Sequence, residues 1–242
     1  LNVNDQISLD FNDRPEWAKK LAVFDLETTG LDLRESRVVT ACVLEIDQDG
    51  LVVGKNIEWL ANPGIEIPQA ASNVHGVTTE KARENGRPAK EVVSEILETL
   101  RSFLSLGTPV VAYNAPFDFT ILHYEALRYD LQPLDNPKPI IDPLVLDKFV
   151  DTYRSGKRTL EVASKIYGVT LDAAHNATAD AIAAGRVAQA IALKHSGKLP
   201  ADAMSLHDAQ IEWSAAQDAS YEKFRRGSSP EFTVQRGWPV KL

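Results

Sequence analysis

A single cysteine, Cys42, stands in 242 residues, which excludes an internal disulfide and suits a reducing compartment. No run approaches the ~20 apolar residues that a membrane helix needs. The opening segment LNVNDQISLDFNDRPEW lacks the apolar centre of a signal peptide. A cytoplasmic protein without membrane attachment is therefore expected. The chain begins at Leu1 rather than Met, so a trimmed start is expected too. Positive charge is also in deficit, with 26 Lys and Arg against 34 Asp and Glu and a formal net charge of -8. Such a chain repels nucleic acid at long range. A phosphate-bearing substrate must then be held locally, by metal ions or by a small basic cluster. There is no internal repeat, and the composition is otherwise that of an ordinary globular chain.

What is present is an α/β order. Residues 1–18 read as a polar arm anchored by Trp17. Three strand-like runs follow, LAVFDLE (21–27), RVVTACVLEI (37–46) and LVVGKNIEWL (51–60), with DQDG at 47–50 joining the last two as a hairpin. After a loop with Pro63, Gly64 and Pro68, apolar residues from Val92 to Leu104 recur at helical spacing between Pro88 and Gly107. PVVAYN (109–114) reads as a strand, and Pro116 opens a helix to about Tyr129 with Phe117, Ile121, Leu122 and Leu127 as core residues. A short strand PIID, helices near 143–150 and 159–167, and an alanine-rich helix from about Asn176 to His195 complete the set. The order predicts a mixed sheet whose first strands are antiparallel and whose helix-separated strands are parallel. Beyond Gly197 a further helix is expected, with Met204, Trp213, Ala216, Tyr221 and Phe224 on one face. It would be a docking element, against this domain or another chain.

Three stretches carry acids in unusual places. Strand side chains alternate, so Val23, Asp25 and Glu27 share one face of the first strand. Two acids two residues apart at a buried strand end repel each other and lose hydration. A hard divalent cation offsets both costs; so does a solvated sheet edge. Thr28, Thr29 and Gly30 then turn the chain away and are expected to leave backbone N–H groups free. In YNAPFDF, Asp118 falls in the first turn of a helix, where the dipole favours a negative charge. In HNATADA, His175 precedes a helix and Asp180 lies one turn into it. Each is also explained as an ordinary helix-end acid or cap. Cys42, inside a strand, reads as a small buried apolar group; His123, His195 and His207 read as surface or helix-end residues.

Together and in order, FDLETTGL, ASNVHGVT, YNAPFDF and HNATADA resemble the DEDDh exonucleases of the RNase H-like superfamily, most of all the epsilon proofreading subunits of bacterial DNA polymerase III. The resemblance spans about residues 20–195 and misses none of the pattern's acids or its histidine. It implies an RNase H-like mixed five-stranded sheet flanked by helices, with a C-terminal helical extension: an arm at 1–18, an exonuclease domain at 19–197, and a helix and tail at 198–242. It implies that Asp25, Glu27, Asp118 and Asp180 bind two Mg²⁺ or Mn²⁺ ions about 3.5–4 Å apart, and that His175 takes the proton from the attacking water. 5′-Mononucleotides would leave from the 3′ end. Thr28, Leu31, His75, Asn114 and Phe119 are the positions it assigns to substrate; Leu31 reads equally as a packed turn residue and His75 as a structural loop histidine. Asp142, in IIDP, is expected as a strand-end acid near the site.

RSGKR (154–158) is either a phosphate-binding cluster or a solvated loop. The expected partners are single-stranded or frayed 3′ ends of DNA, and a polymerase subunit reached through the C-terminal segment, which could instead pack on its own domain. Two other functions fit the same residues: trimming of RNA 3′ ends, and a non-catalytic nucleic-acid- or protein-binding module.

Overall fold

Residues 14–171 and 176–242 are described in the computed structural model of the chain. Residues 1–13 of the expected arm lie outside them. Trp17 does not: it is buried in a single 3₁₀ turn, and its indole N–H donates to the Pro200 carbonyl at 3.1 Å.

Among the described residues the elements run β1 (Leu21–Thr28), β2 (Val38–Ile46), β3 (Val52–Asn62), α1 (Gln69–His75), α2 (Thr79–Asn85), β4 (Arg87–Pro88), α3 (Ala89–Ser105), β5 (Val110–Val111), α4 (Ala115–Arg128), β6 (Ile140–Ile141), α5 (Pro143–Val150), α6 (Leu160–Tyr167), α7 (Ala177–Lys194) and α8 (Ala203–Arg226). The sheet order is β4-β3-β2-β1-β5-β6. β1, β2 and β3 are antiparallel neighbours, and β5 and β6 run parallel to β1. The five expected strands are all there; the two-residue β4 adds a sixth at the β3 edge.

β1 is central, and its sequence shows why. Apolar residues on both faces are what a strand covered on both sides requires. Ala22, Phe24 and Leu26 join one core with α3 and α4, while Leu21 and Val23 join another with α5, α6 and α7. Only Asp25 and Glu27 interrupt the burial, on the α7 side. α7 lies close to that face because its buried residues are small. A Cβ at Gly185 would come within 2.5 Å of Val23 and 2.6 Å of Ile46. This approach lowers the first turn of α7, with Asp180, toward the end of β1.

α8 runs along the open edge of β6. The expected face of Met204, Trp213, Ala216, Tyr221 and Phe224 is not the buried one. Leu206, His207, Gln210 and Ser214 are buried, with Trp213 half-buried and stacked on Phe149 at 3.7 Å. The reason is the surface beneath. A strand edge presents backbone N–H and C=O groups, which need polar partners. The Ile140 N–H donates to His207 Nδ1 at 3.1 Å, the Asp142 N–H donates to Gln210 Oε1 at 2.7 Å, and Gln210 Nε2 donates to the Ile140 carbonyl at 3.0 Å. His207 is thus a buried strut, not a surface residue.

Candidate active site

The C-terminal ends of β1 and β5 and the first turns of α4 and α7 meet at one end of the sheet. There the structure brings Asp25, Glu27 and Asp180 together, with one oxygen of each carboxylate within 4.8 Å of the others. Asn176 holds the start of α7, its side chain accepting from the Thr178 and Ala179 N–H groups at 3.1 and 3.2 Å. Thr178 Oγ1 donates to Glu58 on β3, tying that turn to the sheet. His175 lies outside the described residues.

Asp118 is buried beside this trio, and its Oδ1 accepts the Leu26 N–H at 3.0 Å. Asp25 titrates well above the usual carboxylate range, first through loss of hydration and then through the negative charges of Asp118, Glu27 and Asp180. Burial, then Asp180, pushes Glu27 up to about 7. Asp118 is raised by burial, against the opposing pull of the Leu26 N–H. Carboxylates that converge within 4.8 Å and raise one another's proton affinity suit a hard divalent cation, which replaces the proton as counter-charge. The donor set therefore fits such an ion.

Asp142 supports the α4 side. Fully buried, it accepts the N–H groups of Asn114 (2.9 Å), Ala115 (3.0 Å) and Leu144 (2.9 Å). Asn114 sits at φ 64°, ψ 49°, a left-handed conformation that Asn tolerates better than most residues. Asp142 thereby fixes where α4 begins and the direction in which Asp118 projects. Asn114 itself is exposed at the rim.

Glu27, Thr28 and Leu31 line one side of an apolar cavity of about 560 Å³, faced by Val74, His75 and Phe117. Leu31 is 85% exposed, so it is not the packed turn residue that was one expectation. His75 closes α1 rather than lying in a loop, with Gly76 at φ 73° as the left-handed cap. Its Nδ1 accepts the Val77 N–H at 3.2 Å, and its Nε2 is buried without a hydrogen-bond partner. The two phenylalanines of α4 exchange their expected places. Phe119, expected at the substrate, lies in the core, edge-on to Phe24 at 5.5 Å; Phe117, expected in the core, walls the cavity. Adjacent helical residues point about 100° apart, and Asp118 between them fixes which one faces the site.

Two further expectations need correction. Thr29 is not left with a free N–H: it donates to the Arg37 carbonyl at 2.9 Å, where a bulge between Glu27 and Thr28 ends regular pairing. In RSGKR, Arg154 and Arg158 turn inward onto buried Asp147, which also accepts from Tyr167 at 2.9 Å. They brace the loop before α6 and form no phosphate cluster. Asp147 is the missed partner, and an acid inside an apolar helix was its one sequence signal.

Residues 22–188 match the exonuclease family of the RNase T type. Among curated proteins, a PolC-type DNA polymerase III of Pediococcus pentosaceus is 26% identical over 187 residues, covering 76% of this chain and 12% of that protein. A DNA polymerase III subunit epsilon-like protein of Rhodobacter capsulatus is 32% identical over 164 residues, covering 66% and 22%. Among solved structures, E. coli exonuclease I in complex with a dA16 oligonucleotide superposes with a TM-score of 0.63 at 18% identity, over 79% of this chain and 42% of that one. At that identity the likeness is one of fold. The chain spans less than a quarter of the length of these two curated relatives.

Proposed function

This chain belongs to the exonuclease family that it matches over residues 22–188, and from that premise we propose that it removes 5′-mononucleotides from the 3′ end of single-stranded or frayed DNA, with Mg²⁺ or Mn²⁺ as cofactor. The observation that carries the reading is the convergence of Asp25, Glu27 and Asp180 within 4.8 Å, beside buried Asp118 and at the wall of an apolar cavity. On this reading residues 19–197 form the exonuclease unit and 198–242 its extension.

Asp25, Glu27, Asp118 and Asp180 would hold two divalent cations, which when bound supply positive charge to the phosphate oxygens and acidity to water at that point. The chain's own side chains do the rest. Leu31, Val74 and Phe117 offer an apolar bed for the terminal nucleoside, and Thr28 and His75 Nε2 offer polar contacts at its edge. His175, just before the α7 cap, is assigned as the base that accepts the proton of the attacking water, since imidazole titrates near neutrality. The negative charge of the chain supports local capture of the scissile phosphate over long-range steering. A place in proofreading or repair is supported by relatives named as polymerase III proteins. From Leu206 to Gln217, α8 is engaged by its own domain, which argues against that stretch as a polymerase tether.

The test is digestion of single strands labelled at either end, with matched DNA and RNA. The proposal expects labelled mononucleotide at once from a 3′-labelled strand and a shortening ladder from a 5′-labelled one, with DNA faster than RNA. Mononucleotide released first from the 5′ label would contradict the polarity, and faster RNA trimming would contradict the substrate.

A further inference from the structure

The last two turns of α8 gather exposed rings and cations. Tyr221 and Phe224 are 47% and 78% exposed. Between them and just after lie Lys223, Arg225 and Arg226, and the tail folds back to add Phe232 and Arg236. The Arg225 guanidinium lies 4.5 Å from the Phe232 ring centre and 5.8 Å from that of Tyr221, and it donates to the Tyr221 hydroxyl at 2.8 Å. Tyr221 and Phe232 meet edge to face at 5.7 Å. Glu222 braces the fold-back by accepting the Val234 N–H at 3.1 Å and pairing with Arg226 and Arg236. Residues 221–236 hold four cationic and two acidic side chains, in a chain with a net charge of -8. This is a local inversion of charge, interleaved with rings.

Its location adds to the argument. His207 and Gln210 bond β6, and Gln217 Nε2 donates to the Val145 carbonyl, in the first turn of α5, at 3.0 Å. Asp218 pairs with Lys241, whose N–H donates to Thr120, two residues past Asp118. α8 therefore runs in the direction of β6, and at Asp218 it is level with the first turns of α4 and α5. Its remaining eight residues rise a further ~12 Å at 1.5 Å each. That carries Tyr221 to Arg226 out beyond the end of the sheet at which the carboxylates lie.

We propose that this aromatic and cationic end of α8 is a second nucleic-acid contact, which takes the single strand upstream of the 3′ end held in the cavity. Rings accept stacked bases whatever the sequence, and the cations pair with the backbone. The inference rests on the exonuclease reading and names where its substrate extends. An acidic protein with one anionic strand in its site needs such a foothold once the strand outgrows the cavity.

The experiment compares kcat/KM on a single-stranded DNA trinucleotide and a 16-mer, for the wild type, Phe224→Ala and Lys223→Glu. Both side chains are exposed, so the fold is not at risk. The expected result is a fall of about 5–20-fold in the ratio of 16-mer to trinucleotide efficiency for Phe224→Ala, the loss of roughly one base stack. For Lys223→Glu it is a smaller fall together with a flatter dependence of 16-mer KM on salt. An unchanged ratio in both variants overturns the platform, even if the surface proves to bind protein. A wild type inactive on both substrates contradicts the exonuclease reading itself, so the two failures are distinguishable.

Discussion

Glu27 shows the tension at the scale of one residue. Its folded-state value near 7 lies above the 4.5 of an unstructured chain, because burial and Asp180 disfavour its charge. The fold therefore binds this proton more tightly than the unfolded chain does, and stability is lost as pH rises from about 4.5 through about 7. In the presence of a chelator, Glu27→Gln is predicted to raise Tm at pH 8 by roughly 2–8 °C, at about 2–4 °C per kcal/mol for this size, and to give no gain at pH 4. Calorimetry at the two pH values checks this; equal shifts at both would mean that ionisation of Glu27 is not what strains the fold. The acids were legible in the sequence because two of them interrupt an apolar strand. The exchange of Phe117 and Phe119 was not, since both rings are apolar and only the rotation of α4, set by Asp142 and Asn114, separates them.

At the scale of elements, apolar periodicity revealed the strands and α3, α4 and α7, whose buried faces are mostly hydrocarbon. It missed α1 and α2, each seven residues long and mostly exposed, whose signals are the Gly76 and Thr78 caps. It also misplaced the face of α8, because that face answers a strand edge with an imidazole and an amide. Gln210 meets Asp142 across 68 residues of sequence, and no local pattern announces such a contact. Gln210→Ala leaves the Asp142 N–H and Ile140 carbonyl unpaired, at a cost of about 1–3 kcal/mol for each buried group. Hydrogen exchange is expected to quicken at least ~10-fold at the Asp142 amide, while the Val110 amide, bonded to Pro139, stays slow. Equal quickening at both amides would indicate general loosening and contradict a local role for Gln210.

At the scale of the molecule, the fold solves a problem of charge. A chain with a net charge of -8 places carboxylates from β1, α4 and α7 at one end of its sheet, next to an apolar cavity, and gathers cations and rings on the last turns of α8. The account depends on those carboxylates acting together as a cation cage. Calorimetric titration of Mn²⁺ into the wild type, Asp25→Asn and Asp118→Asn, read beside hydrolysis of single-stranded DNA over the same Mn²⁺ range, tests this most directly. The account predicts saturable binding in the wild type, hydrolysis that rises with the same saturation, and loss of at least ~100-fold in rate with weakened binding in both variants. Hydrolysis that persists in chelator, or binding that neither substitution weakens, would contradict it.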